Sequence, residues 1–234
     1  MSEEPPTTEP AVGIGGERRF SVFRRIVGVL FSPSGTMEDI ADAPDYLGVV
    51  AIIVLLVVVS GVGSWVILQK LVFVGENAAF LSGLVSWVLS IALVFAGLLL
   101  VGAWLVESFI VKYACESGSG WSFKAAASVT GYAWVISVAR SLVALPISYF
   151  LVPTITIDTS SLPYTMPDYQ SQFTQLRWLT WVYSLPVGLL FLAWMSYVGA
   201  KGVNYGTEGN CSVGKAFAVF FILGFLVYLP SLFV

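Results

Sequence analysis

The sequence predicts an all-α polytopic membrane protein, with a five-helix transmembrane bundle and short interfacial helices before the first span. The mean hydropathy is +0.87. Only 11% of the 234 residues are charged, whereas a soluble domain carries about 25%. Apolar runs of about 18 residues or more recur along the chain, and runs of that length cross a bilayer as helices.

The chain divides into three predicted regions. Residues 1–17 are acidic, rich in proline and without an apolar stretch, so we expect a disordered acidic cytoplasmic tail. Residues 18–45 are expected to form an interfacial helix and a short acidic helix. The transmembrane domain covers residues 46–234, with spans at about 46–69, 77–111, 125–152, 178–200 and 214–234. Roughly 20 helical residues cross a 30 Å hydrocarbon core, so each of these segments is long enough.

The segment RRFSVFRRIVGVLF before the first span alternates basic and apolar residues. On a helix one apolar face would contain Phe20, Phe23, Val27, Leu30 and Phe31. This pattern is typical of a helix that lies on a membrane surface. The anionic headgroups of membrane lipids are then expected partners of Arg18, Arg19, Arg24 and Arg25. The alternative is a short lead-in to the first span.

The stretch FSPSGTMEDIADAPDYLG follows, and it concentrates acidic residues between two prolines. Pro33 and Pro44 bracket a predicted two-turn helix, which Ser34 or Thr36 would cap. Its candidate interaction residues are Glu38, Asp39 and Asp42. The alternative is that these acids only face water.

The distribution of basic residues predicts the orientation in the membrane. Eight of them fall on one side: Arg18, Arg19, Arg24, Arg25, Lys112, Lys124, Lys201 and Lys215. The other side has Lys70 and Arg177. The bias places the protein in the cell membrane with its N-terminus in the cytoplasm and its C-terminus outside. Cys115 and Cys211 would then face the reducing cytoplasm, and we expect free thiols.

Two ionisable residues fall within predicted spans, and such residues are candidates for function. Arg140 lies in the third span and Glu107 in the second. Counting residues inward from the cytoplasmic side puts them roughly 16 Å apart in depth. That spacing favours an Arg140 side chain that reaches the outer surface over a buried functional charge. The alternative is a polar path that uses both residues.

Composition and motifs argue against catalysis. The chain has no histidine, and no catalytic motif or close pair of intramembrane carboxylates is present. The segment GNCSVGKA resembles a phosphate-binding loop, but Ala216 stands where such a loop needs Ser or Thr. No basic stripe of the kind that binds nucleic acid is present. We predict no enzymatic activity, no cofactor, no metal site, and neither nucleotide nor nucleic-acid binding.

Three segments carry a resemblance to a known family. They are LFSPSGTMEDIADAP before the first span, SGSGWSFKAAASVTGYA entering the third and NCSVGKAFAV entering the fifth. In their order and spacing the chain resembles the Yip-domain family of integral membrane proteins, and in particular its prokaryotic members. The resemblance implies five helices, a cytosolic N-terminus and no known enzymatic activity. Eukaryotic relatives act in vesicle traffic and contact Rab GTPases, but their Asp-Leu-Tyr-Gly-Pro-like motif is absent from residues 1–46.

The resulting functional expectation is a non-enzymatic membrane scaffold, organising factor or trafficking-type adaptor. Its cytoplasmic face would bind a protein partner that the sequence does not identify. The alternative is a small permease or channel with a polar path near Arg140 and Glu107.

Overall fold

The computed structural model describes residues 19–116, 121–158 and 166–228, with side chains for 19–116, 121–157 and 185–227. The predicted acidic tail and Arg18 lie outside these residues. The helices are α1 (Val22–Phe31), α2 (Pro33–Asp42), α3 (Tyr46–Leu68), α4 (Ala78–Cys115), α5 (Phe123–Ala133), α6 (Val135–Leu151), α7 (Met166–Gly206) and α8 (Val213–Tyr228). This helical architecture confirms the predicted all-α polytopic fold class.

Four helical segments are long and apolar enough to cross a membrane. They are Tyr46–Leu68, Ala78–Cys115, Phe123–Leu151 and Leu185–Gly206. The third is made of α5 and α6, which meet at a break at Trp134. The fifth predicted span, 214–234, corresponds to α8, a shorter apolar helix. Residues 229–234 of that predicted span are outside the described part of the chain. The protein is therefore a multi-pass membrane protein, and the exact count of five spans stays a prediction.

Two short strands were not predicted. Strand β1 (Leu71–Val74) follows α3, and β2 (Ile155–Asp158) follows α6. They pair in parallel with Leu71 opposite Ile155. Because both strands leave neighbouring helices in the same direction, their pairing marks one end of the bundle, here called the strand end. The opposite end, which contains α1 and α2, is called the α2 end.

Helix α1 turns its largest apolar side chains away from the rest of the protein. Phe23 is 76% exposed and Phe31 82% exposed, whereas Arg25 and Val29 on the opposite face are buried. An apolar face that points outward is the arrangement expected for a helix at a membrane surface. Helix α2 instead packs against α5 and α7, with Met37 and Ile40 fully buried. Helix α2 is thus part of the packed end of the bundle.

The expectation of free thiols is wrong. Cys115 at the end of α4 and Cys211 in the turn before α8 form a disulfide, with a Cα–Cα distance of 5.3 Å. The two residues are 96 positions apart in the sequence. They meet because α4 ends and α8 begins at the same α2 end of the bundle. Both cysteines lie at one end of the bundle, as predicted, but they are paired with each other.

Helices α3 and α5 approach each other closely through two glycines. The aromatic ring of Tyr132 occupies the space beside Gly48, and the side chain of Val49 occupies the space beside Gly131. A Cβ atom at either glycine would clash with these neighbours. Small residues allow this kind of backbone approach between membrane helices.

We therefore expect Gly131→Ala to destabilise the protein. Forcing a methyl group into a packed contact costs about 1–3 kcal/mol. The matched control is Gly102→Ala in α4, because no atom lies within 4 Å of a Cβ placed at Gly102. Thermal unfolding in detergent should show a lower midpoint for Gly131→Ala only. Equal midpoints for the two variants would contradict the close packing.

Candidate functional site

A buried arginine organises the α2 end. Arg25 is 0% exposed, and so its charge must be satisfied inside the protein. Its Nε donates to Oδ2 of Asp39 at 2.7 Å, and its Nη1 donates to Oδ2 of Asp45 at 2.6 Å. Two backbone carbonyls accept the remaining described bonds, that of Asp39 at 2.8 Å and that of Ala43 at 2.8 Å. We call Arg25, Asp39, Asp45 and Tyr132 the arginine cluster.

Asp45 connects this cluster to the transmembrane helices. As the N-cap of α3, its Oδ1 accepts the backbone N–H of Gly48 at 2.7 Å. Its Oδ2 also accepts the hydroxyl of Tyr132 at 3.2 Å, and its backbone carbonyl accepts the hydroxyl of Ser128 at 2.9 Å. One aspartate therefore joins α1, α3 and α5.

The electrostatics of the cluster favour a permanently charged arginine. Burial by itself lowers the pKa of Arg25, because a charge is less stable away from water. The hydrogen bond and the charge of Asp39 act in the opposite direction, and Tyr132 and Asp45 add to them. The net result is a pKa above the usual arginine value, so the guanidinium stays protonated.

The cluster corrects two of the residue predictions. The guanidinium of Arg25 is enclosed by protein and is not available to lipid headgroups. Asp39 is 1% exposed, and its Oδ1 accepts the backbone N–H of Arg19 at 2.8 Å, so its carboxylate is not available to a partner. The Arg25 prediction failed because the basic residues beside the apolar face of α1 were all expected to meet headgroups. The Asp39 prediction failed because all three acidic residues of α2 were expected at its surface.

The other predicted surface residues lie on the outside of the protein. Glu38 is partly exposed and Asp42 is exposed, and each lies within 4 Å of the Arg19 guanidinium, at 3.7 and 3.6 Å. Arg24 is exposed, and its guanidinium lies 4.4 Å from the ring centre of Phe20. These four charged side chains are therefore available at the surface of the α2 end.

The second candidate site is a cavity between the transmembrane helices, here called the intramembrane cavity. Its volume is about 580 Å³. Helices α3, α4, α6, α7 and α8 all contribute to its wall. The residues that line it are Leu56, Leu100, Ala103, Val106, Glu107, Ile110, Trp134, Ser137, Arg140, Gly188, Phe191, Leu192, Met195, Leu223, Gly224, Leu226 and Val227. The two predicted intramembrane residues, Glu107 and Arg140, are both among them.

Glu107 is held in place by Trp134. The indole Nε1 of Trp134 donates to Oε2 of Glu107 at 2.8 Å. The other carboxyl oxygen, Oε1, is buried and has no hydrogen-bond donor among the described side chains. A buried acceptor without a donor is costly, and such atoms are rare in folded proteins.

Arg140 also lines the cavity, one helical turn from Ser137 in α6. The hydroxyl of Ser137 donates weakly to the sulfur of Met195 at 3.5 Å. Arg140 precedes the end of α6 by 11 residues, which corresponds to about 16 Å along a helix. Arg140 thus lines the cavity, and the reach of its side chain to the outer surface stays a prediction.

Sequence reasoning missed three residues that build these sites. Asp45 was included only as part of the acidic stretch, Tyr132 only as part of the segment SGSGWSFKAAASVTGYA, and Trp134 only as part of the third predicted span. A signal was available for Asp45, because an aspartate directly before a long apolar helix is a favoured N-cap. No local pattern identifies the donors that Tyr132 and Trp134 supply to residues more than 20 positions away.

Comparison with known proteins identifies a family. A family model described as the Yip1 domain matches residues 27–234. That range begins within α1, after Arg25. It includes the other three residues of the arginine cluster and all residues that line the intramembrane cavity. No curated protein and no solved structure matches the chain.

The arginine cluster predicts that the three acidic residues of α2 differ sharply in how much stability the protein loses when each is replaced. Asp39→Asn keeps the shape of the side chain but leaves a buried guanidinium short of a counter-charge. We expect a loss of stability of about 3–5 kcal/mol, as for other broken buried ion pairs. Chemical unfolding in detergent micelles measures this loss.

The matched controls are Glu38→Gln and Asp42→Asn in the same helix. Their ion pairs with Arg19 are solvent-exposed, and exposed pairs contribute little. Both controls should unfold like the unmodified protein. An Asp39→Asn protein as stable as these controls would show that the cluster does not hold the α2 end together.

Proposed function

The chain belongs to the Yip1 domain family, and from this premise we propose that it is a non-enzymatic membrane scaffold or adaptor. In this proposal the protein lies in the cell membrane and presents the α2 end to partners in the cytoplasm. The family is not known for enzymatic activity. Among the described residues no group of three or more His, Cys, Asp or Glu is placed to hold a metal ion.

The observation that carries the proposal is the arginine cluster. It fixes α2 against the bundle through side chains with almost no exposure, so the exposed residues of α2 have defined positions. A rigid surface loses less conformational entropy on binding than a mobile segment does. Glu38 and Asp42 lie on that surface beside Arg19, and we propose that they contact a protein partner.

The proposed orientation rests on the basic residues. Lys112, Lys124, Lys201 and Lys215 lie near the ends of α4, α5, α7 and α8, together with the arginines of α1 and the segment before it. Their concentration at the α2 end favours a cytoplasmic position for that end. The Cys115–Cys211 disulfide is the one feature there that favours the opposite side, because disulfides are uncommon in a reducing cytoplasm.

Helix α1 supports a lipid contact as a second part of the proposal. Phe23 and Phe31 extend from its outer face, and Arg24 lies beside them. Aromatic side chains and a cation on one exposed face match the boundary between acyl chains and anionic headgroups. We propose that Arg19 and Arg24, without Arg25, supply the headgroup contacts, and that α1 holds the α2 end close to the bilayer.

A permease or channel is the second candidate function, and the intramembrane cavity favours it. The cavity brings Arg140 and Glu107 to one wall, as a polar path through the bundle requires. A path also needs an opening toward the strand end. The existence of such a path is a proposal separate from the scaffold, and it has its own test.

The scaffold proposal predicts that partner binding depends on Glu38 and Asp42. Replacing both with Ala should abolish recovery of specific partners in a pull-down from cross-linked membranes. Asp39 must remain unchanged, because its loss would disturb the fold. The control is Glu76→Ala, an exposed acid at the strand end. Partners that are retained by the double variant would refute a docking role for α2.

The transport proposal predicts that Ser137, changed to Cys, reacts with a water-soluble thiol reagent added from the strand-end side. A continuous aqueous path makes this thiol accessible, and a packed bundle does not. Arg140→Leu should then abolish solute or ion flux in proteoliposomes. An unreactive thiol together with a flux that does not change in Arg140→Leu would remove this candidate.

A further inference from the structure

The intramembrane cavity opens sideways toward lipid. Its wall includes Val106 and Ile110 of α4 and Leu226 and Val227 of α8, and all four side chains are also exposed on the outer surface of the bundle. In a membrane this surface meets acyl chains, so a molecule can enter the cavity directly from the bilayer. The volume of about 580 Å³ falls within the range of roughly 300–1,000 Å³ that is usual for small-molecule sites.

The two sides of the cavity differ in chemistry. The polar groups, Glu107, Trp134, Ser137 and Arg140, come from α4, α6 and the break before α6. Helices α7 and α8 supply an apolar wall that contains Phe191, Leu192, Met195, Leu223, Leu226 and Val227. A cavity with one polar wall, one apolar wall and a lipid-facing mouth is complementary to an amphiphile.

One atom of the polar wall specifies the kind of headgroup. Oε2 of Glu107 accepts the indole N–H of Trp134, and this bond fixes the carboxyl group in the cavity wall. Oε1 is buried and receives no donor from the described side chains. A ligand that supplies an N–H or O–H at this position satisfies a buried acceptor, and a ligand with acceptors alone does not.

We propose that the intramembrane cavity binds a lipid-like amphiphile whose hydroxyl or ammonium headgroup donates a hydrogen bond to Oε1 of Glu107. The hydrocarbon chain lies along the apolar wall of α7 and α8 and leaves between α4 and α8. A hydroxyl and an ammonium group both supply the donor that Oε1 of Glu107 lacks. This site requires neither transport through the bundle nor a protein partner at α2.

Photo-crosslinking of the full chain in lipid nanodiscs tests the proposal. Three dodecyl probes with a diazirine in the chain differ only in the headgroup: an alcohol, a primary amine and a methyl ether without a donor. The alcohol, the amine or both should give saturable labelling that unlabelled dodecanol or dodecylamine displaces. The labelled residues should cluster around Val106–Ile110 and Leu223–Val227. The ether should label weakly and without saturation.

Two variants separate the headgroup contact from the cavity itself. Glu107→Gln keeps the shape but has one acceptor oxygen, which the indole N–H of Trp134 occupies, so an NH2 donor takes the place of Oε1. It should weaken the amine by about tenfold or more, as expected for loss of a charge-assisted hydrogen bond, and it should also weaken the alcohol, whose hydroxyl could then only accept. Ala103→Leu fills the cavity and should reduce labelling by every donor probe. Glu116→Gln, an exposed acid near the end of the same helix, is the matched control and should change nothing.

The result also identifies the headgroup class. Saturable labelling by the amine alone assigns an ammonium ligand, and labelling by the alcohol alone assigns a neutral hydroxyl. Equal labelling by all three probes, labelling spread over the outer surface of α4, or binding unaffected by Ala103→Leu overturns the proposal. Because Glu107→Gln is nearly isosteric, its unfolding midpoint provides the check that a loss of labelling reflects the site and not the fold.

Discussion

The structure of the α2 end depends on neutralising one buried guanidinium. An unpaired charge in the position of Arg25 would be prohibitively costly, so α1 can pack only where Asp39 and Asp45 meet it. That requirement fixes α2 against α5 and α7, and it fixes the start of α3 through the N-cap role of Asp45. The acidic stretch before the first span therefore contains residues of two kinds. Asp39 and Asp45 hold the protein together, and Glu38 and Asp42 remain at its surface.

The two candidate sites share one short piece of chain. Tyr132 donates to Asp45 in the arginine cluster, and Trp134, two residues later, donates to Glu107 in the intramembrane cavity. Residues two positions apart on a helix point about 200° apart, so the two aromatic rings face different sites. The arginine cluster and the intramembrane cavity are therefore joined by one short helical segment.

The sequence predicted the helices well and their contacts poorly, for reasons that particular residues make clear. Long apolar runs are sufficient to indicate α3, α4 and α5–α6, because a bilayer requires them to be helical. The same apolar environment conceals which face of α1 is buried: in lipid the phenylalanines can face outward while Arg25 faces inward. Counting residues along two spans did not indicate that Glu107 and Arg140 line one cavity, because α3, α7 and α8 complete its wall. The pairing of Cys115 with Cys211 arises from where helices end, which no local spacing encodes.

The disulfide has a topological consequence. With Cys115 and Cys211 joined, the 95 residues between them form a closed covalent ring that contains α5, α6 and all of α7. A protease that cuts once anywhere in this ring opens it and releases no fragment, so a nicked molecule still runs as a single chain until a reductant is added. The ends of the chain lie outside the ring, and a cut there shortens the protein without that protection.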